Sequence, residues 1–131
     1  MRVMAIDYGA ARTGVALSDE TRTLATPLTV INSRDRDWVL AQLKKLTVEH
    51  GVTQLVVGLP LNMDGSEGPA AQLCREVAGI LERKTRLPVD LVDERLSTVE
   101  AARFTSDRKR LDAVAAAVIL QEWLGSRRAS S

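Results

Sequence analysis

Hydrophobic residues fall along this chain in short runs and in helical repeats, with turn residues between them. Three strand-like runs come first, at about residues 2–8, 13–19 and 24–31. The short connections between them predict antiparallel neighbours. A fourth apolar run, 55–59, is reached through a helical pattern, which predicts a strand parallel to the first. A fifth run, 89–92, follows Pro88 and completes the predicted strands.

Helical spacing of apolar residues predicts the rest of the secondary structure. Asn32 and Ser33 are suited to cap the first helix, and His50 and Gly51 to end it. The predicted helices cover about residues 35–50, 70–84 and 109–124, and a further short helix begins near Thr98. The order βββαβαβα, with one extra short helix, predicts an α/β fold in which a mixed sheet carries helices on both faces.

The composition indicates one ordinary globular domain. A length of 131 residues, of which 45% are hydrophobic and 27% charged, suits a single domain over 1–131, with a mobile polar tail from about 125. Aromatic residues make up 3%, which argues against a sheet that stacks bases. Lys and Arg number 18 against 17 Asp and Glu, so the total charge does not indicate a nonspecific polycation.

Cysteine count and hydropathy exclude other classes. With one cysteine, Cys74, the chain has no internal disulfide and no cysteine zinc cluster, and its helical position predicts burial. No apolar run approaches the roughly 20 residues that span a bilayer. The N-terminus enters a strand without a signal-peptide layout. These features predict a cytoplasmic protein without a membrane partner.

One carboxylate interrupts the first buried strand. Asp7 follows the apolar run Val3 to Ile6 and precedes Gly9, a residue that accepts backbone conformations other residues avoid. A charge at such a place is costly unless it is paired or binds a metal. Asp7 is therefore predicted to be a site residue, although an Asp that merely starts a turn is the structural alternative.

Further carboxylates are predicted near Asp7. Sites in open α/β sheets form beyond the carboxyl ends of parallel strands, where Asp93 and Glu94 also fall. Asp112 lies on the sheet-facing side of the last helix, although the helix macrodipole alone would favour it there. Carboxylates without His or Cys suit Mg²⁺ or Mn²⁺, and two such ions can promote phosphodiester cleavage. Adjacent strand residues point to opposite faces, so only one of Asp93 and Glu94 is expected to face Asp7.

Two further features are suited to phosphate. The loop 60–69 contains glycines and leads to a helix N-terminus, a site that favours anions, and Asn62 and Ser66 could donate hydrogen bonds there. An ordinary connecting loop has the same composition. Basic residues flank the proposed carboxylates and could form a rim that binds nucleic acid, although each is also explained as a solvated charge: Arg12, Arg95, Arg103, Arg108, Lys109 and Arg110.

Four segments together are similar to one family. Residues 5–14, 57–66, 93–98 and 111–116 resemble, in order, motifs of the YqgF (RuvX) family. The resemblance implies a ribonuclease H-like fold and a nuclease of pre-16S rRNA maturation, similar to Holliday junction resolvases. It also implies that Asp7, Glu94 and Asp112 are the catalytic metal ligands, with Asp93 a weaker candidate. Ser97, where the family often has Thr, and a short segment before Asp112 depart from the pattern.

Four functions compete. The resemblance favours a metal-dependent endonuclease on structured RNA. A branched DNA substrate would use the same chemistry, and symmetric cleavage of a junction would require a homodimer. A noncatalytic rRNA-binding module is a third alternative. A phosphotransferase related to sugar kinases is disfavoured, because such enzymes close two domains around ATP and this chain has one.

Overall fold

The structure is a computed structural model that describes residues 1–94 and 108–129, with side chains in the last helix described over 111–126. The short helix predicted near Thr98 lies outside the described residues, as do Arg95, Arg103 and the last two residues of the chain.

Five strands form one mixed sheet: β1 (Arg2–Asp7), β2 (Arg12–Ser18), β3 (Ala25–Asn32), β4 (Val52–Leu59) and β5 (Val89–Asp93). Their order in the sheet is β3-β2-β1-β4-β5. β1 pairs antiparallel with β2, and β2 antiparallel with β3. β1 pairs parallel with β4, and β4 parallel with β5. The predicted five-stranded mixed sheet is confirmed.

Three described helices cover the two faces of this sheet. They are α1 (Arg36–Glu49), α2 (Pro69–Thr85) and α3 (Arg108–Ala129). The buried residues of α1 and α2 pack with one set of strand side chains, which includes Met4, Ile6 and Val57. α3 packs with the opposite set, which includes Val3 and Ala5. The prediction of helices on both faces is therefore confirmed.

The first helix begins within one residue of its predicted start, but a different residue caps it. Asn32 and Ser33 were expected to cap α1, but Asp35 is the N-cap and its side chain accepts a hydrogen bond from the Trp38 N–H at 3.3 Å. Asn32 is the last residue of β3, and Ser33 Oγ accepts a hydrogen bond from the Asp35 N–H at 3.0 Å. The pairing of β3 with β2 thus extends through Asn32, which is therefore not the cap. At the other end His50 is the C-cap, as predicted.

The last helix is longer than predicted, because it continues through Ala129 instead of ending near residue 124. Arg and Ala are good helix formers, and no proline interrupts this region. Trp123 Nε1 donates to Asp90 Oδ2 at 2.9 Å and so ties α3 to β5. Gln121 accepts from the Ala25 N–H at 3.0 Å and ties it to β3. None of the helices in the described part of the chain has the length and apolar character required to cross a bilayer.

Candidate active site at the carboxyl edge of the parallel strands

Strand alternation places Asp7 on the face that α3 covers. Val3 and Ala5 contact α3, whereas Met4 and Ile6 lie in the core under α1 and α2. Asp7, two residues after Ala5, therefore points to the α3 side. It is the last residue of β1, so its carboxylate lies at the edge where both β4 and β5 also end.

Glu94, and not Asp93, joins Asp7 on this face. The Asp7 and Glu94 carboxyl groups are hydrogen-bonded to each other. Gly58 allows this position, since a Cβ atom there would overlap the Glu94 carboxylate and Ile119. Asp93 pairs with Leu59, which belongs to the opposite face, and is exposed. Strand alternation in the sequence left this choice open, whereas the family resemblance implied Glu94.

A glycine brings the third carboxylate to the same place. Gly14 lies directly opposite Asp7 in the β1–β2 ladder. A Cβ atom on Gly14 would overlap the backbone carbonyl of Asp112 and the nitrogen of Ala113. This close approach of α3 to β2 puts Asp112 near enough for its charge to raise the pKa of Asp7. All three carboxylates named from the sequence thus lie at one edge of the sheet.

Burial disfavours simultaneous ionisation of Asp7 and Glu94. Burial, partly opposed by the hydrogen bond to Glu94 and reinforced by the charge of Asp112, raises the pKa of Asp7 to about 6. Burial first, then the charge of Asp7 and the hydrogen bond to it, raises the pKa of Glu94 to about 9. At neutral pH the pair therefore holds one proton, chiefly on Glu94.

The shared proton predicts how stability depends on pH. In the folded protein both groups have a pKa above the ordinary value, so the folded state binds more protons than the unfolded chain. Because the folded protein holds about one proton more than the unfolded chain over this range, the free energy of unfolding without metal should fall by roughly 5 kcal/mol as the pH rises from about 5 to about 8.5. Thermal denaturation in EDTA measures this fall. Glu94→Gln should reduce this pH-dependent loss of stability, whereas substitution of the exposed Glu20 by Gln should not. A wild-type free energy of unfolding that stays constant over this pH range would contradict the prediction.

Cys74 lies within electrostatic reach of the carboxylates. It is buried, as predicted. Burial first, and then the charges of Glu94 and Asp7, raises the pKa of its thiol to about 12. A thiol that stays protonated is neither a nucleophile nor a good metal ligand at neutral pH.

Arg12 contacts the third carboxylate. Its Nε lies 3.2 Å from Asp112 Oδ2, and its side chain is 51% exposed. Asp112 Oδ2 is itself buried and accepts no hydrogen bond from the described residues, although the Arg12 guanidinium lies beside it. Asp112 is thus held by charge, with one oxygen not saturated by donors.

The chemistry of these donors fits a hard divalent cation. All three groups are carboxylates, the ligands that Mg²⁺ and Mn²⁺ prefer. A cation would supply a partner for the buried Asp112 oxygen and would stabilise the ionised forms of Asp7 and Glu94. Their side chains do not converge on one point: within residues 1–94 and 108–129, no three His, Cys, Asp or Glu are grouped to hold one ion. Binding would require Asp7 to exchange its bond with Glu94, and Asp112 its pair with Arg12, for the cation.

The loop after β4 is closed by its own hydrogen bonds. Asn62 Nδ2 donates to Ser66 Oγ at 2.9 Å. The Ser66 N–H and hydroxyl both donate to Asp64 Oδ1, at 2.9 and 2.6 Å. Asp64 thus occupies both donors of Ser66 in this arrangement, so the predicted contact of Ser66 with an anion would require these hydrogen bonds to be exchanged.

The predicted basic rim is only partly visible. Arg12 lies at the site edge. Arg108, Lys109 and Arg110 form the start of α3, but their side chains lie outside the described residues, and Arg95 lies in the segment that is not described.

Sequence reasoning missed the roles of two glycines and misjudged a third. Gly14 and Gly58 permit the close packing of Asp112 and Glu94, and a glycine inside a strand pattern is the signal that could have indicated this. For Gly9 the sequence suggested conformational freedom as the reason for a glycine, but its φ is not positive. A Cβ on Gly9 would instead meet the Arg12 carbonyl oxygen at 2.5 Å, so close backbone approach explains this glycine.

Comparison with known proteins places the chain in a family. The family model of RuvX, described as Holliday junction resolvase, matches residues 1–126. The chain belongs to the RuvX family. A relative from Roseiflexus sp. (strain RS-1), named "Putative pre-16S rRNA nuclease", is 47% identical over 97% of this chain and 96% of its own length. A relative of the same name from Anaeromyxobacter sp. (strain Fw109-5) is also 47% identical, over 98% of this chain and all of its own length.

Solved structures support the fold of this RuvX protein. T. thermophilus RuvC in complex with a Holliday junction substrate is similar with a TM-score of 0.66, at 14% identity, over 98% of this chain and 96% of that one. The fowlpox virus Holliday junction resolvase is similar with a TM-score of 0.60, at 10% identity, over 96% and 99%. The predicted family, the ribonuclease H-like fold and the nuclease class are confirmed.

Proposed function

We propose that this RuvX protein is a metal-dependent endonuclease that hydrolyses phosphodiester bonds of structured RNA during 5′-end processing of pre-16S rRNA. The observation that carries the proposal is the grouping of Asp7, Glu94 and Asp112 on one face of the sheet, in a chain 47% identical to relatives named for that activity. A cytoplasmic location is part of the proposal, because bacterial rRNA precursors are found there.

The three carboxylates have distinct proposed roles as catalytic residues and metal ligands. Bound Mg²⁺ or Mn²⁺ would supply charge for the phosphate oxygens and lower the pKa of an attacking water. Asp7, central and the first to ionise of the buried pair, would be the principal ligand. Glu94 would hold a proton until the cation displaces it, and Asp112 would close the site from α3. Water attacks phosphorus, and the leaving oxygen departs with a proton as a hydroxyl group.

Nucleic acid would contact the same edge. Arg12 is the best supported of these residues, because its exposed guanidinium lies beside Asp112. The loop after β4 starts at this edge, so Asn62 and Ser66 could contact a backbone once the bonds to Asp64 are exchanged. The remaining proposed contacts come from the basic residues of the sequence: Arg95, Arg108, Lys109 and Arg110.

Branched DNA is the alternative substrate. The family description, Holliday junction resolvase, favours it, and the metal chemistry would be unchanged. Symmetric cleavage of a four-way junction would require a homodimer, so sedimentation of the protein with and without a junction bears on this alternative.

The decisive experiment offers the purified protein three substrates, in EDTA, in Mg²⁺ and in Mn²⁺. They are a structured RNA containing the 5′ end of the 16S precursor, a single-stranded RNA and a four-way DNA junction. Cleavage of the precursor that requires metal supports the proposal, and metal-dependent cleavage of the junction alone supports the resolvase. Tight RNA binding without turnover in either metal would support the noncatalytic module.

Two adjacent carboxylates provide a matched pair of variants for this assay. Glu94→Gln should lower metal-dependent cleavage about a hundredfold, because it removes a proposed ligand and its bond to Asp7. Asp93→Asn, one residue away but on the opposite face, should change the rate by less than about threefold. Equal losses in both variants would contradict the assignment of Glu94.

A further inference from the structure

We propose that Arg12 couples metal binding to nucleic-acid binding by exchanging partners. In the free protein its guanidinium holds Asp112; when a divalent cation takes Asp112, the guanidinium moves to a phosphate of the substrate. The inference rests on the proposed metal-dependent function, which it extends by a residue that controls when the site is loaded.

The position of Arg12 permits both partners. It is the first residue of β2 and alternates with Gly14 and Ala16 on the α3 face. Its Nε lies 3.2 Å from Asp112 Oδ2, and half of its side chain is exposed. Among the described residues no side chain accepts a hydrogen bond from its two terminal nitrogens. The guanidinium thus has donors for a second anion at the open edge of the site.

The guanidinium and a metal ion compete for one oxygen. Asp112 Oδ2 is buried and has Arg12 as its only described charged neighbour of opposite sign. A cation bound there would meet the positive charge of Arg12 at short range, where the screening by water is weak. Arg12 should therefore weaken metal binding as long as it has no other anion to contact.

A substrate phosphate removes this competition. When a nonbridging phosphate oxygen takes the guanidinium, Asp112 becomes available to the cation, and metal affinity rises. Reciprocity then requires bound metal to strengthen nucleic-acid binding by the same factor. This exchange of partners would favour metal binding when the substrate is present.

The first test is calorimetric titration of the full chain with Mn²⁺ alone. Arg12→Gln should bind Mn²⁺ about fivefold tighter than wild type, a coupling of ordinary size for two linked sites. Arg12→Lys, which keeps the charge, should remain within about twofold of wild type. Arg36→Gln is the matched control, because Arg36 belongs to α1 on the opposite face of the sheet, where it forms an ion pair with Glu76 at 3.1 Å. The Mn²⁺ affinity of this variant should equal that of wild type.

The second test is binding of a fluorescent RNA hairpin in EDTA, measured by anisotropy. Arg12→Gln should weaken RNA binding about fivefold while it strengthens Mn²⁺ binding, and these opposite signs are the signature of partner exchange. Mn²⁺ binding that is unchanged or weaker in Arg12→Gln overturns the inference and leaves the nuclease proposal intact. Absence of Mn²⁺ binding by the wild type overturns both.

Discussion

Asp7→Asn is expected to lower metal-dependent cleavage about a thousandfold. Asp7 is the carboxylate at the end of the central strand, hydrogen-bonded to Glu94 and within electrostatic reach of Asp112. Its loss therefore removes the proposed principal ligand and the hydrogen bond that connects it to Glu94. A metal ion contributes several kcal/mol to stabilisation of the transition state, and about 4 kcal/mol corresponds to this rate factor. Initial rates with saturating Mg²⁺ or Mn²⁺, on whichever substrate the wild type cleaves, measure the effect.

The same substitution should not damage the fold. Without metal, an amide in place of Asp7 removes a negative charge that burial and the charge of Asp112 both oppose, so the melting temperature in EDTA should equal or exceed that of wild type near neutral pH. Asp37→Asn, an exposed carboxylate in the first turn of α1, is the control and should keep nearly the full rate. If a folded Asp7→Asn protein cleaved the substrate at the wild-type rate, the proposed metal site would be ruled out.

Gly14→Ala is expected to destabilise the protein by about 3 kcal/mol, because the new methyl group would overlap backbone atoms of α3. The overlapping atoms belong to the backbone of Asp112, and not to a flexible side chain. They can move away only if the start of α3 shifts from the sheet. This movement would also withdraw Asp112 from Asp7, so cleavage should fall even at temperatures where the variant is fully folded. Chemical denaturation and cleavage rates below the melting transition measure the two effects separately.

Gly125→Ala, also a single methyl group added to a glycine, controls for the change of residue type. Gly125 is an exposed position of α3, with nothing within 4 Å of an added Cβ, so the substitution should stabilise the helix by up to about 1 kcal/mol. If Gly14→Ala were equally harmless, the close approach of α3 to β2 would not be the device that positions Asp112.

The order of strands and helices could be predicted from the sequence because each element has its own local pattern of hydrophobic residues. Apolar runs such as Val3 to Ile6 mark strands buried on both faces, and the helical repeat that includes Cys74 marks a buried helix face. Boundaries were less readable. Asn32 is a good helix cap by residue type, but its pairing opposite Arg12 keeps it in β3, and this pairing depends on the neighbouring strand.

The sequence by itself determined that Asp7 is a carboxylate at the end of a buried strand, and that Asp112 lies on an inward helix face, because strand and helix periodicities are local properties. Only the tertiary structure decided that Glu94 and not Asp93 joins Asp7, because the choice depends on which face α3 covers. It also decided the pairing of Arg12 with Asp112 and the retained proton of Glu94. Both follow from burial and close approach between residues far apart in the chain, and no local pattern encodes them.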